Sequence, residues 1–343
     1  MIIDPHSHGA QGDGVADDTS AIQAAIDICR DEDIVQLHHG ATYKINPNVG
    51  IRMGSFKTLE MTDAVMTQGG TNQPATRARM IYTVPGSNNI KIFGGALIGS
   101  RLPHAGLQWG KGIWVDSSMT VEIEGVEISD QYFDGIGIGG NTPSSFVSIR
   151  DCHITNCRRN ALTMTNAEHV RVSRTSLMNS NGQEPAAGCD IEANKDERVH
   201  DVILQDCIFF ENSRTGLHIH KGHGLPPSDI WVQKCTFQNN GLIPNAVPAQ
   251  YNFIGNACNG LRFVDNIIKS NTPGQRGAVF GEGTDRFVCF GNDINVGPAG
   301  YALVFAGVHS PKVFENNLRG GNLVILPNAG LQGVFGKSII EDE

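Results

Sequence analysis

Two short segments of this chain place ionisable residues two positions apart. Asp190 and Glu192 are separated by one isoleucine, and so are His218 and His220. Because side chains on a β-strand alternate between its two faces, each pair shares one face, and adjacent strands would bring the pairs together at about 4.8 Å. The sequence therefore predicts a square patch of two carboxylates and two imidazoles.

The predicted carboxylate pair has a separation that suits acid–base hydrolysis. Residues i and i+2 of a strand lie about 6.5 to 7 Å apart, which leaves room for a water between one carboxylate and a sugar, as in inverting glycoside hydrolases. We expect one carboxylate to be the acid and the other the base, while the imidazoles hold its protonation state or bind hydroxyl groups. The alternative is a solvated face on which opposite charges stabilise each other across strands.

Further candidates surround this patch. Asp134 begins an earlier strand of the same face and is a reserve catalytic carboxylate. The residues that we expect to supply stacking and anion-binding contacts to sugars are Trp114, Tyr132, Arg158, Arg159 and Lys221.

Other chemistries stay open for the same residues. A lyase or C5-epimerase acting on uronic acids needs a base, a proton donor and cations, which Arg158, Arg159, Lys221 and a histidine could provide. Calcium held by the three carboxylates could replace these cations, although we expect that no cofactor is required. The acidic patch disfavours a polyanion without metal, so hydrolysis ranks above elimination. A transition-metal site formed by the carboxylates and histidines is a further possibility, but we assign no residue to a metal.

The elements that position these residues are strands of a repeat. Four segments alternate apolar and polar residues and then place Cys or Asn before another apolar pair: 147–154, 202–209, 230–237 and 261–268. They return at roughly 25 to 30 residues, which is typical of stacked supersecondary units. Weaker copies occupy 170–177, 287–294 and 313–318. The pattern predicts a parallel β-helix in which the Cys/Asn/Thr column is a structural ladder.

Setting the coils in register also predicts a groove. The apolar pairs that should point inward are Ile136 and Ile138, Leu162 and Met164, Cys189 and Ile191, and Leu217 and Ile219. Three connections rich in Gly and Pro, 179–188, 221–228 and 239–250, are longer than the other turns. Insertions in repeat proteins cluster on the binding face, so we expect these connections to wall a groove over the patch. A groove along a solenoid suits an extended polymer.

Composition and charge disfavour several classes of protein. The 343-residue chain has a formal net charge of -9, which argues against nucleic acid as a partner. Neither an apolar run of about 18 residues nor a signal peptide is visible, so we expect no membrane partner and leave the localisation open. The 8 cysteines occupy ladder or inward positions, which predicts free buried thiols and no structural zinc.

The N-terminal segment carries a second signal. A Gly-rich turn at 9–14 precedes N-cap candidates, and an apolar stripe follows at Ile22, Ala25, Ile26 and Cys29. This pattern predicts a helix that covers the open end of the first coil. We interpret the acidic residues of this segment as turn and cap residues: Asp13, Asp17 and Asp18.

The same segment, residues 12–27, resembles the entry segment of the pectate-lyase-like superfamily. That superfamily includes polygalacturonases, β-helical glucanases, mannuronan epimerases and phage tailspike depolymerases. Residues 35–43 resemble the strand that follows in these proteins, with His38 in place of a proline. The resemblance implies an all-β fold, a right-handed parallel β-helix with an N-terminal capping α-helix, and a polysaccharide or oligosaccharide substrate. Phage relatives are commonly trimers, so a monomer and a homotrimer both stay open.

Two branches of this superfamily compete. Residues 133–136 resemble the polygalacturonase segment Asn-Thr-Asp-Gly-Ile, and residues 222–224 match its Gly-His-Gly triplet, but residues 160–162 replace its Asp-Asp pair. Residues 126–134 resemble a mannuronan epimerase segment whose catalytic Asp falls on Asp134, but residues 135–137 replace the Pro-His-Glu that follows. A non-catalytic, glycan-binding phage adhesin would keep the groove as well.

The expected organisation is a single domain over residues 1–343. Within it we expect an N-terminal cap segment over 1–50, repeated coils over 85–326 and a C-terminal cap or tail over 327–343. A solenoid grows along one axis, so the length requires no second domain.

Overall fold

Short strands dominate the structure, and they pair in parallel with the equivalent strands one coil away. The structure is a computed structural model that describes residues 1–69, 78–101, 110–242, 251–271, 276–325 and 339–341. Each coil contributes strands to three faces, which we call sheets 1, 2 and 3. The long strand Asp293–Phe305 pairs in both sheet 2 and sheet 3 and joins them. The predicted parallel β-helix is confirmed.

The strands of each face follow one another in chain order. Within the described residues, sheet 1 contains Ile2–Ile3, Ile34–Gln36, Thr58–Glu60, Asn88–Phe93, Met119–Glu124, Ser144–Arg150, Ala167–Ser173, Val199–Gln205, Ser228–Gln233, Arg262–Val264, Val288–Phe290 and Lys312–Phe314. Sheet 2 contains Asp13–Asp17, Thr42–Ile45, Val65–Gln68, Ala96–Ile98, Glu127–Ser129, His153–Thr155, Ser176–Met178, Ile208–Phe210, Thr236–Gln238, Ile267–Lys269, Asp293–Phe305, Asn317–Ile325 and Ile339–Glu341. Sheet 3 contains Ile51–Met53, Ala78–Thr83, Gly110–Asp116, Asp134–Gly139, Leu162–Met164, Ala187–Glu192, Thr215–His220, Tyr251–Gly255 and Arg276–Phe280, followed by parts of Asp293–Phe305 and Asn317–Ile325.

The repeated sequence segments stack on one another in register. Val147 pairs with Val170, Val170 with Val202 and Val202 with Ile230, all on sheet 1. Their inward side chains belong to one hydrophobic core that extends from Ile3 to Leu318. The coils begin before residue 85, because the strands from Ile34–Gln36 onward already pair coil to coil. The C-terminal segment predicted over 327–343 lies outside the described residues, apart from the strand Ile339–Glu341.

A single α-helix, Thr19–Ile28, covers the first coil within the described residues, after a short 3-10 helix at Pro5–His8. Its buried apolar residues and Cys29 join the main core, as the stripe predicted. The Asp17 carboxylate accepts a hydrogen bond at 3.0 Å from the amide of Thr19, the first residue of the helix. Asp18 instead accepts from the Gln11 amide at 2.6 Å and secures the preceding turn. The helix and the turn-and-cap interpretation are therefore confirmed.

The Cys/Asn column forms the predicted ladder. The Asn266 side-chain oxygen accepts a hydrogen bond from the Cys235 amide at 2.9 Å, and its amide group donates to the Val232 carbonyl at 2.9 Å. Asn292 repeats the pattern one coil further and receives a bond from the Asn266 side chain at 3.0 Å. These side chains are buried, so each bond satisfies a group that water does not reach.

The residue before each ladder position adopts a left-handed conformation. Asp151, Arg174, Asp206, Lys234 and Asp265 have φ between 47° and 54°. This conformation costs a non-glycine residue roughly 1–2 kcal/mol. The ladder bonds that follow hold the bend and offset this cost.

A second asparagine ladder, which the sequence analysis did not identify, supports the bend that leads into sheet 3. Asn212 donates to the Asn240 side-chain oxygen at 2.8 Å, and Asn240 donates to that of Asn252 at 3.0 Å. Two coils before Asn212, the Asn160 side-chain oxygen accepts from the Ala187 amide at 3.0 Å. These bonds fix where the strands of sheet 3 start.

Two findings bear on the environment of the protein. All 8 cysteines are buried and free of disulfides, in agreement with the predicted buried thiols. None of the helices in the described ranges is long and apolar enough to cross a membrane.

The ladder predicts a position-specific loss of stability. Asn292→Ala removes the side chain that bonds the Phe263 carbonyl at 2.9 Å and Asn316 at 2.8 Å, and we expect it to lower the free energy of unfolding by about 2–3 kcal/mol. The exposed Asn295 lies on the same coil, so Asn295→Ala should change it by less than about 0.5 kcal/mol. Urea denaturation followed by circular dichroism measures both, and equal losses would contradict the structural role of the ladder.

The buried thiols predict chemical inertness in the folded state. Burial raises the pKa of Cys152 to about 11 and that of Cys157 and Cys289 further. Because the reagent must reach a thiolate and all 8 thiols are buried, we expect Ellman's reagent to label none of the cysteines in the native protein and all of them in guanidinium chloride. Rapid native labelling of any cysteine would show that its coil opens.

Candidate active site

The predicted patch lies on the outward face of sheet 3. Asp190 pairs in register with His218, and Glu192 pairs with His220, on the strands Ala187–Glu192 and Thr215–His220. The two imidazole rings are stacked with their centroids 4.1 Å apart. The predicted square of two carboxylates and two imidazoles therefore forms.

Asp190 lies beneath the surface of this patch. Its side chain is 0% exposed, whereas those of Glu192 and His220 are 27% and 25% exposed. The prediction of two exposed carboxylates is therefore wrong for Asp190, because the imidazoles of the next coil and Arg159 cover it. Glu192 is the carboxylate of the pair that faces solvent.

The two oxygens of Asp190 face different partners. Oδ1 lies 3.5 Å from His218 Nδ1 and 3.5 Å from His220 Nε2. Oδ2 lies 3.6 Å from the Arg159 guanidinium and 3.5 Å from the Asn160 side-chain amide. The contacts to Oδ1 are ion-pair contacts rather than good hydrogen bonds, and Oδ1 has no hydrogen-bond partner among the described residues.

These contacts set the protonation of the cluster. Burial opposes ionisation of Asp190, but the two histidines and the charge of Arg159 outweigh it and hold the pKa of Asp190 well below its ordinary value. Burial likewise lowers the pKa of His220, but Asp190 and Glu192 raise it, and the net shift is upward. Asp190 therefore stays ionised and carries no proton to donate.

A row of alternating charges connects Asp190 to the neighbouring coils. The Lys111 ammonium lies 2.7 Å from Asp134 Oδ2, and the Arg159 guanidinium lies 3.4 Å from the same oxygen. The Asp134 side chain is 0% exposed and that of Lys111 only 9%. We call Lys111, Asp134, Arg159 and Asp190 the ion chain. It keeps two buried carboxylates paired with cations, which a low-dielectric interior requires.

Two cavities form a groove along sheet 3. The larger, of about 540 Å³, is lined by Trp114, Arg159 and Glu192 among others. The smaller, of about 230 Å³, is lined by Glu192, His218 and His220 among others. Because Glu192 lines both, it marks their junction.

Only one of the three predicted walls is found among the described residues. Glu184 and Pro185 of connection 179–188 line the smaller cavity. No residue of connection 221–228 lines either cavity. Residues 243–250 of the third connection lie outside the described residues.

The predicted contact residues divide into two groups. Trp114 and Arg159 line the larger cavity, as expected. Tyr132 is only 2% exposed and lies under the Arg158 guanidinium, 5.2 Å from its ring centroid, so its predicted stacking on a sugar is wrong. Arg158 and the exposed Lys221 line neither cavity.

Asp134, the reserve catalytic carboxylate, is also buried. Its Oδ2 is held by Lys111 and Arg159, and its Oδ1 accepts a hydrogen bond from the Asn160 amide at 3.3 Å. It does not line the groove. The structure thus gives Asp134 the position of a counter-ion for the two cations.

Glycines on the strand Asp134–Gly139 leave room for side chains that line the larger cavity. A Cβ on Gly137 would lie 2.7 Å from Lys111 Cδ and 2.8 Å from the Trp114 ring. A Cβ on Gly139 would lie 2.3 Å from the Thr165 hydroxyl. The absent side chains therefore let Lys111 and Trp114 lie across this coil.

Several lining residues were missed from the sequence. They are Arg79, Lys111, Asp116, Asn141, Asn194 and Glu197. Lys111 could have been found, because it occupies the position on its strand that Asp134 occupies on the next strand. Each of them stands two residues before an inward-facing isoleucine, and the two strands pair in register. Asn194 and Glu197 lie in the turn after Glu192, where the alternation of strand residues gives no guidance.

Comparison with known proteins agrees with this architecture. A family described as the right-handed β-helix region matches residues 104–251. An uncharacterized SPβ prophage-derived protein of Bacillus subtilis strain 168, YorA, is 30% identical over 203 residues, which cover 51% of this chain and 34% of that protein. The match thus spans about a third of the length of this curated relative.

Solved structures share the fold at low sequence identity. The adhesin PfbA of Streptococcus pneumoniae superposes with a TM-score of 0.70 and 13% identity, covering 100% of both chains. The A-module of the Azotobacter vinelandii mannuronan C-5 epimerase AlgE4 gives a TM-score of 0.65 and 15% identity, covering 99% of this chain and 100% of the module. The tailspike of Escherichia coli bacteriophage HK620, solved with a pentasaccharide, gives 0.70 and 13%, covering 97% of this chain and 64% of the tailspike.

The stacked coils, the N-terminal helix and these matches define the protein as a right-handed parallel β-helix protein. The right-handed parallel β-helix that the entry segment implied is thereby confirmed. The identities to the solved structures are low enough that they establish the fold alone.

The ion chain predicts a strong dependence of stability on Lys111. Lys111→Met leaves Asp134 buried beside a single cation, and we expect a loss of about 3–5 kcal/mol in the free energy of unfolding. Lys91→Met breaks an exposed contact of 3.9 Å with Glu122 and should cost about 1 kcal/mol or less. Adding Asp134→Asn to Lys111→Met should recover part of the loss. Similar losses for the two lysines in chemical denaturation would contradict the role of the ion chain.

Proposed function

We propose that this protein is a carbohydrate-active enzyme that binds an extended polysaccharide along the groove of sheet 3 and hydrolyses it at Glu192. The observation that carries the proposal is the position of Glu192, a solvent-facing carboxylate at the junction of two cavities. It lies 3.5 Å from His220, which also lies 3.5 Å from the buried carboxylate of Asp190.

The groove has the chemical character of a sugar-binding surface. The larger cavity presents the Trp114 ring, the hydroxyl of Thr165, and the amides of Asn141 and Asn194. An aromatic face packs against the apolar face of a sugar ring, while hydroxyl and amide groups exchange hydrogen bonds with its hydroxyls. Because the two cavities meet at Glu192, a polymer lying in both would place an internal linkage over this residue.

Burial revises the roles of the two carboxylates. Glycoside hydrolysis needs one group that protonates the leaving oxygen and another that activates water. Asp190 is ill suited to touch a substrate, because it is 0% exposed. We therefore assign proton transfer to Glu192 and the second half of the site to the cluster of Asp190, His218 and His220. Asp190 lies 3.5 Å from both imidazoles and positions them.

The pairing of the cations favours hydrolysis over elimination. Lys111 and Arg159 already contact Asp134, and Arg79 lies 3.7 Å from Asp116. A lyase or C5-epimerase needs free positive charge, or calcium, to neutralise the substrate carboxylate. The cations of this cavity would have to leave their carboxylates first. Elimination or epimerisation of a uronic-acid polymer is the alternative reaction.

A glycan-binding role without catalysis is the second candidate, and the superposition with an adhesin over the whole chain supports it. It would use the same groove and the same contacts at Trp114. It differs in one respect, since it requires no proton transfer at Glu192.

Glu192→Gln keeps the volume of the side chain but removes its ability to transfer a proton, so we expect at least a ~100-fold loss of turnover with glycan binding retained. Glu127→Gln makes the same change on the exposed face of sheet 2 and should leave turnover unchanged. Asp190→Asn should lower turnover as well, because the imidazoles lose the carboxylate that positions them. The measurement is release of reducing ends from a panel of neutral and acidic polysaccharides, with calorimetric binding in parallel.

The products discriminate the candidates. Unsaturated uronic ends, detected by their ultraviolet absorbance, would assign a lyase. Binding without turnover by the unmodified protein would assign an adhesin. Wild-type turnover by Glu192→Gln would exclude Glu192 as the catalytic residue.

A further inference from the structure

Three side chains on adjacent coils bring one possible ligand atom each close together. The atoms are Asp190 Oδ1, His218 Nδ1 and His220 Nε2, and all lie within 4.8 Å of one another. Both imidazole nitrogens are 3.5 Å from the same carboxylate oxygen. We propose that these three residues bind a divalent first-row transition metal of the zinc type.

The separations fit a metal better than direct hydrogen bonds. A charge-assisted hydrogen bond between an imidazolium and a carboxylate is about 2.7–2.9 Å long. Ligands bonded to zinc at about 2.1 Å in a tetrahedral arrangement lie about 3.4 Å apart. The observed 3.5 Å between Asp190 Oδ1 and each nitrogen is close to this tetrahedral value.

The oxygen at the centre of the cluster also needs a partner. Asp190 is 0% exposed, and its Oδ1 accepts no hydrogen bond from any described residue. A buried carboxylate oxygen that accepts no hydrogen bond is costly, and metal coordination is one of the few arrangements that satisfy it.

The opposite side of Asp190 is held as metal-binding carboxylates usually are. Oδ2 faces Arg159 at 3.6 Å and the Asn160 amide at 3.5 Å. Asn160 is itself fixed, because it donates to the Thr163 hydroxyl at 3.0 Å and accepts from the Ala187 amide at 3.0 Å. Such partners orient a ligating carboxylate and support metal affinity.

The ligand types indicate which metals fit. Two imidazoles and one carboxylate suit zinc and its first-row neighbours, whereas calcium and magnesium prefer oxygen ligands.

Three protein ligands would leave one position of a tetrahedral metal open. His218 and His220 line the smaller cavity into which that position would open. A zinc ion held there would lower the pKa of a water bound to it, and Glu192, 3.5 Å from His220, would be a neighbouring carboxylate able to take up that proton. The metal site goes beyond the proposed function, since binding is testable without a glycan.

A second cluster of similar composition provides a matched control. Asp4 Oδ1 lies 3.0 Å from His38 Nε2 and 3.3 Å from His6 Nδ1. This oxygen already accepts a hydrogen bond from the His6 amide at 2.9 Å, and the three side chains are between 28% and 51% exposed. Its geometry serves the 3-10 helix cap, so we expect weaker metal binding there.

The experiment is calorimetric titration of chelator-treated protein with Zn²⁺, and with Ca²⁺ as the comparison ion. We expect one tight Zn²⁺ site and no corresponding Ca²⁺ site. Loss of a residue that only supports a metal ligand lowers metal affinity by ~10–100-fold. We therefore expect His218→Gln and His220→Gln, which remove a ligand itself, to lower Zn²⁺ affinity by at least this factor. His38→Gln should leave the tight site unchanged. Circular dichroism verifies that each variant is folded.

A spectroscopic measurement keeps the test valid if His218→Gln and His220→Gln fail to fold. Co²⁺ added to the His38→Gln protein should give the intense visible absorption of tetrahedral coordination, and Zn²⁺ should abolish it. The proposal is overturned if this spectrum is absent, if Zn²⁺ affinity survives in folded His218→Gln and His220→Gln proteins, or if His38→Gln removes the tight site. Loss of glycan turnover in Glu192→Gln with Zn²⁺ binding intact would separate the two assignments.

Discussion

Burial of two carboxylates under the outward face of sheet 3 is the constraint on which the groove depends. Asp134 and Asp190 are both fully buried, and a charge in that position is tolerated only when cations lie beside it. Arg159 contacts both carboxylates, so its position is fixed by the two charges it joins. Since Arg159 lines the larger cavity, its fixed position also fixes that part of the cavity wall. The two imidazoles of the next coil lie over Asp190, 3.5 Å from its carboxylate.

The solenoid supplies the precision that this arrangement needs. Parallel pairing sets adjacent coils about 4.8 Å apart, and the asparagine ladders at the bends determine which residue begins each strand. Asn160 links the bend before sheet 3 to the candidate site, because its side chain bonds the Ala187 amide and also approaches Asp190. A displacement of one residue would turn Glu192 into the core, so the ladder protects the site as well as the fold.

Residue patterns were sufficient to predict the coils and the members of the patch, because alternation with a period of two is a property of each strand alone. They were insufficient for burial, which depends on side chains from neighbouring coils. Asp190 was expected on an exposed face, but Arg159 and His218 reach across and cover it. Tyr132 was expected to contact a sugar, yet it lies in a turn, where alternation gives no direction, and packs under Arg158.

The central claim is that a glycan lies along sheet 3 with its linkage over Glu192. A crystal structure with the oligosaccharide that binds most tightly from the polysaccharide panel tests this claim most directly. The account predicts sugar density that continues from Trp114 across Glu192 to His220, with the ion chain unchanged beneath it. Sugar bound on sheet 1 or sheet 2, with the groove of sheet 3 free, would contradict the account.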